Sequence, residues 1–239
     1  MPVKVFGSPT STEVARVLTC LFEKDVEFQL IRVDSFRGTK RLPQYLKLQP
    51  HGEALTFEDG NVTLVESRKI LRHVAEKYKD QGNRDLFGPG ALERASIEQW
   101  LQTEAQSFDI PSADMAYSLA YLPLDGRGAG LPAAGMNPSH RQKLEEMQQL
   151  FEKSRRELGK LLDIYEQRLA EEKYLAGGKF TLADLSHLPN ADRLAADPRS
   201  ARLIESRRNV KGWWDTISRR DSWSRVKELQ RPPSAEAPF

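Results

Sequence analysis

The stretch that decides the fold is residues 3–22, VKVFGSPTSTEVARVLTCLF. Val3 to Phe6 is a short apolar strand, closed by the punctuating residues Gly7-Ser8-Pro9-Thr10. Beyond Ser11, apolar residues at Val14, Val17, Leu18, Leu21 and Phe22 take the spacing of one helix face. Val26, Phe28, Leu30 and Ile31 to Val33 then return to a period near two, so the opening predicts strand, helix, strand, the crossover that joins parallel strands. After a polar loop over Arg37 to Arg41 and a short helical piece, Leu55-Thr56-Phe57 and Val62 to Val65 flank Asp59-Gly60, a hairpin signal. A helix follows with Ile70, Leu71, Val74 and Tyr78 on its buried face.

This order predicts a thioredoxin-like α/β domain over residues 1–80, a polar linker at 81–89 and an all-helical domain over 90–230. In the second half, Ile97, Trp100, Leu101 and Phe108 make one stripe. Asn137-Pro138 opens a long helix, because proline in the first turn lacks only an N–H that has no helical partner. Leu144, Met147, Phe151, Leu158, Leu162, Tyr165 and Leu169 give that helix a buried face. Thr181 to Asp184 reads as a capping box, with Phe180 placed to staple Leu182 or Leu185. Trp213-Trp214 reads as core, Gly126 to Pro138 as a flexible loop, and the Pro-rich residues 231–239 as a disordered tail.

The chain has 239 residues, with 36 Lys and Arg against 34 Asp and Glu, which excludes the strongly basic footprint expected of a nucleic-acid binder. Its apolar runs are too short to span a bilayer and Met1 to Gly7 passes straight into polar residues, so a cytoplasmic protein is expected. A single cysteine, Cys20, excludes an internal disulfide, a CxxC pair and any zinc site built on two thiolates. It lies within a helix beside the apolar stripe, where it reads as packing. His51, His73, His140 and His187 have no metal-ligand spacing, so no metal is expected. The basic run from Arg199 to Lys211 reads as a solvated face.

Chemistry concentrates where strands hand over to helices. Ser11 either caps its helix or, with the positive helix start, stabilises a thiolate brought by a ligand. Ser67 offers a hydroxyl at a second helix start, suited to a ligand carboxylate, and Glu66 beside it suits an ammonium group. The competing reading is an ordinary serine cap with Arg68 in a surface ion pair. Lys40-Arg41 suits a second carboxylate or is simply solvated. A thiol, an amino-acid end and a distant carboxylate are together the three handles of glutathione.

At these residues the chain resembles the glutathione transferases, and among them the plant phi class. The matching stretches are Val5 to Ser11 with Arg16-Val17, Phe57 to Gly60, Leu64 to Arg68, Lys173 to Gly177 with Leu182 to His187, and Val210 to Trp214. They run in family order over nearly the whole chain. The resemblance implies the glutathione transferase fold and a homodimer that conjugates glutathione to hydrophobic electrophiles or reduces organic hydroperoxides. It places Ser11 on the catalytic serine with Thr12 beside it, and Glu66 and Ser67 on the γ-glutamyl end. Lys40 and Arg41 fall on the glycyl carboxylate, where the family has His-Lys.

One stretch departs from the family. Where relatives read Asn-Pro-Phe-Gly-Gln-Val-Pro, this chain has Gln49 to Leu55, so Glu53 replaces a neutral amide and Ala54-Leu55 replaces a Val-Pro bond that is cis in the family. A cis bond without proline costs about 3–4 kcal/mol. The substitutions are therefore expected to weaken glutathione binding at Glu53 and Ala54. The alternative function is then a transferase-fold binding protein for hydrophobic ligands with little turnover.

Overall fold

A computed structural model describes residues 2–32, 55–123 and 137–231. Strand β1 (Val3–Gly7) lies inside a four-stranded sheet of order β2-β1-β3-β4. It pairs in parallel with β2 (Phe28–Ile31), reached through helix α1 (Thr12–Glu23), and antiparallel with β3 (Leu55–Asp59). The β3–β4 hairpin (β4, Val62–Leu64) turns at Gly60, whose φ of +65° is the left-handed conformation glycine adopts without a Cβ clash. Helix α2 (Ser67–Lys77) follows and buries Ile70, Leu71 and Val74, as the periodicity predicts. The strands are shorter than the sequence suggests: Val26 packs before β2, and Val65 lies exposed beyond β4.

The rest of the described chain is helical: α3 (Ala91–Thr103), a π-helical turn (Glu104–Phe108), α4 (Asp109–Leu119), α5 (Pro138–Glu171), α6 (Leu182–Leu185), α7 (Leu188–Ala196), α8 (Pro198–Glu205), α9 (Arg208–Ile217) and α10 (Asp221–Gln230). Among the described residues no helix is long and apolar enough to cross a membrane. The 126–138 loop, save its last two residues, and residues 232–239 lie outside the described residues.

Backbone and side-chain hydrogen bonds fasten the two halves together. The Leu182 N–H donates to the Leu86 carbonyl at 2.8 Å, and Leu86 itself is buried. Arg72 of α2 holds Glu98 of α3 with two N–H···O bonds of 2.6 Å. Arg220 and Ser222 both donate to the carboxylate of Glu23 at the end of α1, which holds that acid below its ordinary value against the opposing effect of burial.

The core of the helical half is built on the capping box. Asp184 is buried and accepts from the N–H groups of Leu175 (3.0 Å) and Thr181 (3.1 Å), and from Trp213 Nε1 (2.9 Å). Trp213 is thus core, with its polar edge satisfied. In the basic run Arg202, Arg208 and Lys211 are exposed as expected, but Arg199 is half-buried and donates to the carbonyls of Leu119 and Leu122 at 3.0 and 2.6 Å. It ties α8 to the end of α4 instead of facing solvent.

His187 sits in the same core, between Phe108, Tyr165 and Trp213. Its Nδ1 lies 2.7 Å from the Ala183 carbonyl, which can only accept, so Nδ1 carries the proton and Nε2 accepts from the Tyr165 hydroxyl at 2.8 Å. Burial pushes its pKa down to about 3. The folded protein therefore holds this ring neutral, and its contribution to stability is complete above the unfolded value near 6.5 and is lost as pH falls toward 3. Buried Asp184, pushed up to about 6 by burial, carries the opposite sign and cancels when variants at position 187 are compared. Urea unfolding of wild type and His187→Gln should thus show a stability gap that narrows by about 2 kcal/mol between pH 7.5 and pH 5. A gap independent of pH would contradict the neutral, buried assignment.

Candidate functional site

The first turn of α1 is where the sheet meets the helices. After Gly7 the chain makes a tight turn closed by the Ser11 N–H donating to the Ser8 carbonyl at 2.9 Å, with the Ser8 and Thr10 hydroxyls 2.8 Å apart. Ser11 takes the N-cap position with extended backbone, φ −69° and ψ 135°. Its hydroxyl does not cap the helix, and among the described residues it has no hydrogen-bond partner. The capping explanation for this serine is therefore not what the structure shows. What remains is a half-buried hydroxyl at the positive end of a helix whose first N–H groups are capped by no side chain among the described residues.

Thr12, the neighbour expected beside it, is already engaged. Its hydroxyl donates to Asn190 Oδ1 of α7 at 3.2 Å, and Asn190 Nδ2 donates to Asp109 at 2.9 Å. Asp109 belongs to a buried cluster that sequence reading missed. Arg16, only 1% exposed, donates through Nη2 to Glu104 Oε1 and Asp109 Oδ1, each at 3.2 Å, through Nη1 to Ser67 Oγ at 3.0 Å, and through Nε to the Ser186 carbonyl at 3.1 Å. Arg68 Nε donates to Glu104 Oε2 at 2.8 Å. Its Nη2 lies 2.8 and 2.9 Å from Glu104 and Asp109, close charge contacts without hydrogen-bond alignment.

Two guanidinium groups thus face two carboxylates, and the cluster is neutral overall. Burial raises Glu104 against the pull of Arg16 and Arg68, whereas for Asp109 the two arginines overcome burial and hold it below its ordinary value. The π-helical turn makes this convergence possible. The Asp109 N–H donates to the Glu104 carbonyl, an i→i+5 bond. In an α-helix, residues five apart are roughly 1.4 turns apart and splay to different faces. Widening the turn brings both acids to Arg16.

At the second helix start the competing reading, an ordinary serine cap, is not what the structure shows. Glu66, not Ser67, caps α2, accepting from the N–H groups of Arg68 at 3.1 Å and Lys69 at 2.8 Å. Ser67 is buried with its oxygen engaged by Arg16, and Arg68 is in the buried cluster instead of a surface pair. The structure therefore links Thr12 and Ser67 through Asn190, Asp109 and Arg16. Lys40, Arg41, Glu53 and Ala54 lie outside the described residues, and so does the Ala54-Leu55 bond. Leu55 itself is buried at the start of β3, opposite Gly7.

Glu13, two residues after Ser11, is a further acid that the sequence did not flag. It is half-buried, it has no hydrogen-bond partner among the described residues, and burial raises its pKa against the opposing charge of Arg16. Cys20 is buried in α1, where burial pushes its thiol far up, which makes it an inert packing residue. Among the described residues no group of three or more His, Cys, Asp or Glu could hold a metal ion.

The family model "Glutathione S-transferase, N-terminal domain" matches residues 1–76, and "Glutathione S-transferase, C-terminal domain" matches residues 123–221. Glutathione S-transferase F11 of Arabidopsis thaliana is 37% identical over 229 residues, covering 96% of this chain and 99% of that protein. The crystal structure of glutathione transferase F2 from Populus trichocarpa superimposes with a TM-score of 0.82 at 45% identity, covering 96% of this chain and 99% of that one. Glutathione S-transferase I from maize, solved with an atrazine glutathione conjugate, gives a TM-score of 0.78 at 26% identity over 98% of this chain and 100% of that one. A thioredoxin-like sheet joined to a helical half, and relatives of this similarity along the whole length, establish that the chain belongs to the glutathione S-transferase family, phi class.

Proposed function

We propose that the protein conjugates the thiolate of glutathione to hydrophobic electrophiles, with Ser11 as its catalytic residue, and that the same site reduces organic hydroperoxides. The observation that carries this reading is the Ser11 hydroxyl, left without a partner among the described residues at the uncapped start of α1. A hydroxyl there donates a hydrogen bond to sulfur, and the helix start adds partial positive charge. Both favour the ionised thiol and lower its pKa from about 8.5 toward neutrality. The thiol proton leaves to solvent. Sulfur then forms a bond to the electrophilic carbon, and the leaving group departs with its electron pair.

The remaining assignments rest on the family resemblance and on the chemistry of the groups. Glu66, half-buried at the start of α2, meets the γ-glutamyl ammonium while it caps the helix. Ser67 accepts from Arg16 and so keeps its own O–H to donate to the γ-glutamyl carboxylate. Lys40 and Arg41 hold the glycyl carboxylate, and the backbone at Glu53 and Ala54 runs beside the cysteinyl segment. Residues 1–80 form the glutathione-binding domain, 81–89 the connection, and 90–230 line the electrophile pocket. The maize neighbour's conjugate, a tripeptide joined to an aromatic ring, is the kind of product such a pocket releases. A cytoplasmic homodimer is the setting this reading carries with it.

Two measurements test the proposal. In chlorodinitrobenzene conjugation, Ser11→Ala should lose roughly 10- to 150-fold in kcat/KM, the worth of one hydrogen bond to a charged group, with its melting temperature unchanged. Retention of wild-type kcat/KM would refute the serine's role. In isothermal titration with glutathione, Glu53→Gln should bind more tightly than wild type, because it removes a carboxylate from beside the ligand. Equal affinities would show that Glu53 does not weaken the site.

A further inference from the structure

The turn that carries Ser11 is held from outside by two side chains of the helical half. Arg193 of α7 donates through Nη2 to the Thr10 carbonyl at 2.7 Å, and Gln230, the last residue of α10, donates through Nε2 to the Pro9 carbonyl at 2.9 Å. We propose that Arg193 and Gln230 are positioning residues for Ser11, so that the C-terminal helix sets the placement of the thiol-activating hydroxyl. This inference rests on the reading of Ser11 given above.

Among the described residues the Ser11 side chain has no hydrogen bond, so within them it is the backbone that aims the hydroxyl. That backbone is a short loop between β1 and α1, and loops hold a geometry only where something ties them. Inside the loop, the ties are the Ser11 N–H to the Ser8 carbonyl and the Ser8–Thr10 hydroxyl contact. Arg193 and Gln230 occupy the two carbonyls immediately before Ser11, the positions where a small rotation of the peptide would swing the hydroxyl.

The two donors are themselves anchored. The Trp223 Nε1 of α10 donates to Asp192 of α7 at 3.1 Å, and Lys227 lies 3.8 Å from the same carboxylate. Arg32, just past β2, donates to the Leu229 carbonyl at 2.6 Å and pins the end of α10 beside Gln230. On the other side, Thr12 is tied to Asn190 of α7. Together α7, α10 and the first turn of α1 enclose a cleft of about 200 Å³ with Thr10, Arg193 and Gln230 in its wall. The catalytic geometry in such a site must hold to within about half an ångström, and this frame supplies that precision from elements distant in sequence.

The test compares wild type, Ser11→Ala, Arg193→Lys, and the pair Arg193→Ala with Gln230→Glu. The last change keeps size but replaces the donating amide with an acceptor. For the pair, kcat for chlorodinitrobenzene should fall about five- to thirtyfold, the worth of two modest hydrogen bonds. KM for the electrophile should stay near wild type, and the ionisation seen in the pH profile of kcat/KM should move to higher pH. Arg193→Lys, which retains a donor, should recover most of the Arg193 share. A pair variant with the wild-type pH profile and kcat, while Ser11→Ala is impaired, would overturn the positioning role and leave the reading of Ser11 intact. Full activity in Ser11→Ala would overturn both. A loss in the pair that tracks a fall in melting temperature with no movement of the pH profile would reduce these contacts to structural ones and would also overturn the proposal.

Discussion

Arg16 is the constraint around which the rest is arranged. A guanidinium 1% exposed loses nearly all of its hydration, and each of its hydrogen-bonding nitrogens must be answered by an acceptor from the protein. The acceptors come from α2, the π-helical turn, α4 and the carbonyl between α6 and α7, so both halves must be docked before the charge is satisfied. Buried ion pairs add little net stability, but leaving one partner uncompensated costs about 3–5 kcal/mol. The cluster therefore acts as a device of register: it penalises any packing of the sheet half against the helical half other than this one.

That register matters because Ser11, the proposed catalytic serine, adjoins Thr12, which the cluster holds. Arg16 is one helical turn beyond Thr12 on α1, and Thr12 is tied to the cluster through Asn190. The start of α1 is thereby fixed relative to Ser67 at the start of α2. A hydroxyl and two helix starts are held at a common edge, with Glu66 and Glu13 supplying the negative charge near it. Among the described residues the same frame leaves the Ser11 hydroxyl without a hydrogen-bond partner, which is what a ligand-directed group requires.

Much of this was legible in the sequence because the signals are local. A short apolar run marked β1, a period near two marked β2, Asp59-Gly60 marked the hairpin, and Thr181 to Asp184 marked a capping box that the structure contains. The family resemblance was carried by the same stretches. What was not legible depends on contacts between distant positions. Arg16 meets Glu104 and Asp109 from 88 and 93 residues away, and no periodicity announces a pairing of that range. The π-helical turn was hidden for a related reason, since acids five apart do not read as one helix face. At α2 the competing reading made the serine the cap, but a glutamate one residue earlier reaches two N–H groups where a hydroxyl would reach one. Arg199 looked solvated because its partners, the carbonyls ending α4, carry no side-chain signal.

The central claim is that this scaffold ionises a thiol. Its most direct test is a spectrophotometric pH titration of glutathione bound to the wild-type protein, following thiolate absorbance at saturating glutathione. The account predicts a midpoint at least about one unit below the free-thiol value near 8.5. A midpoint indistinguishable from that of glutathione in buffer would contradict it.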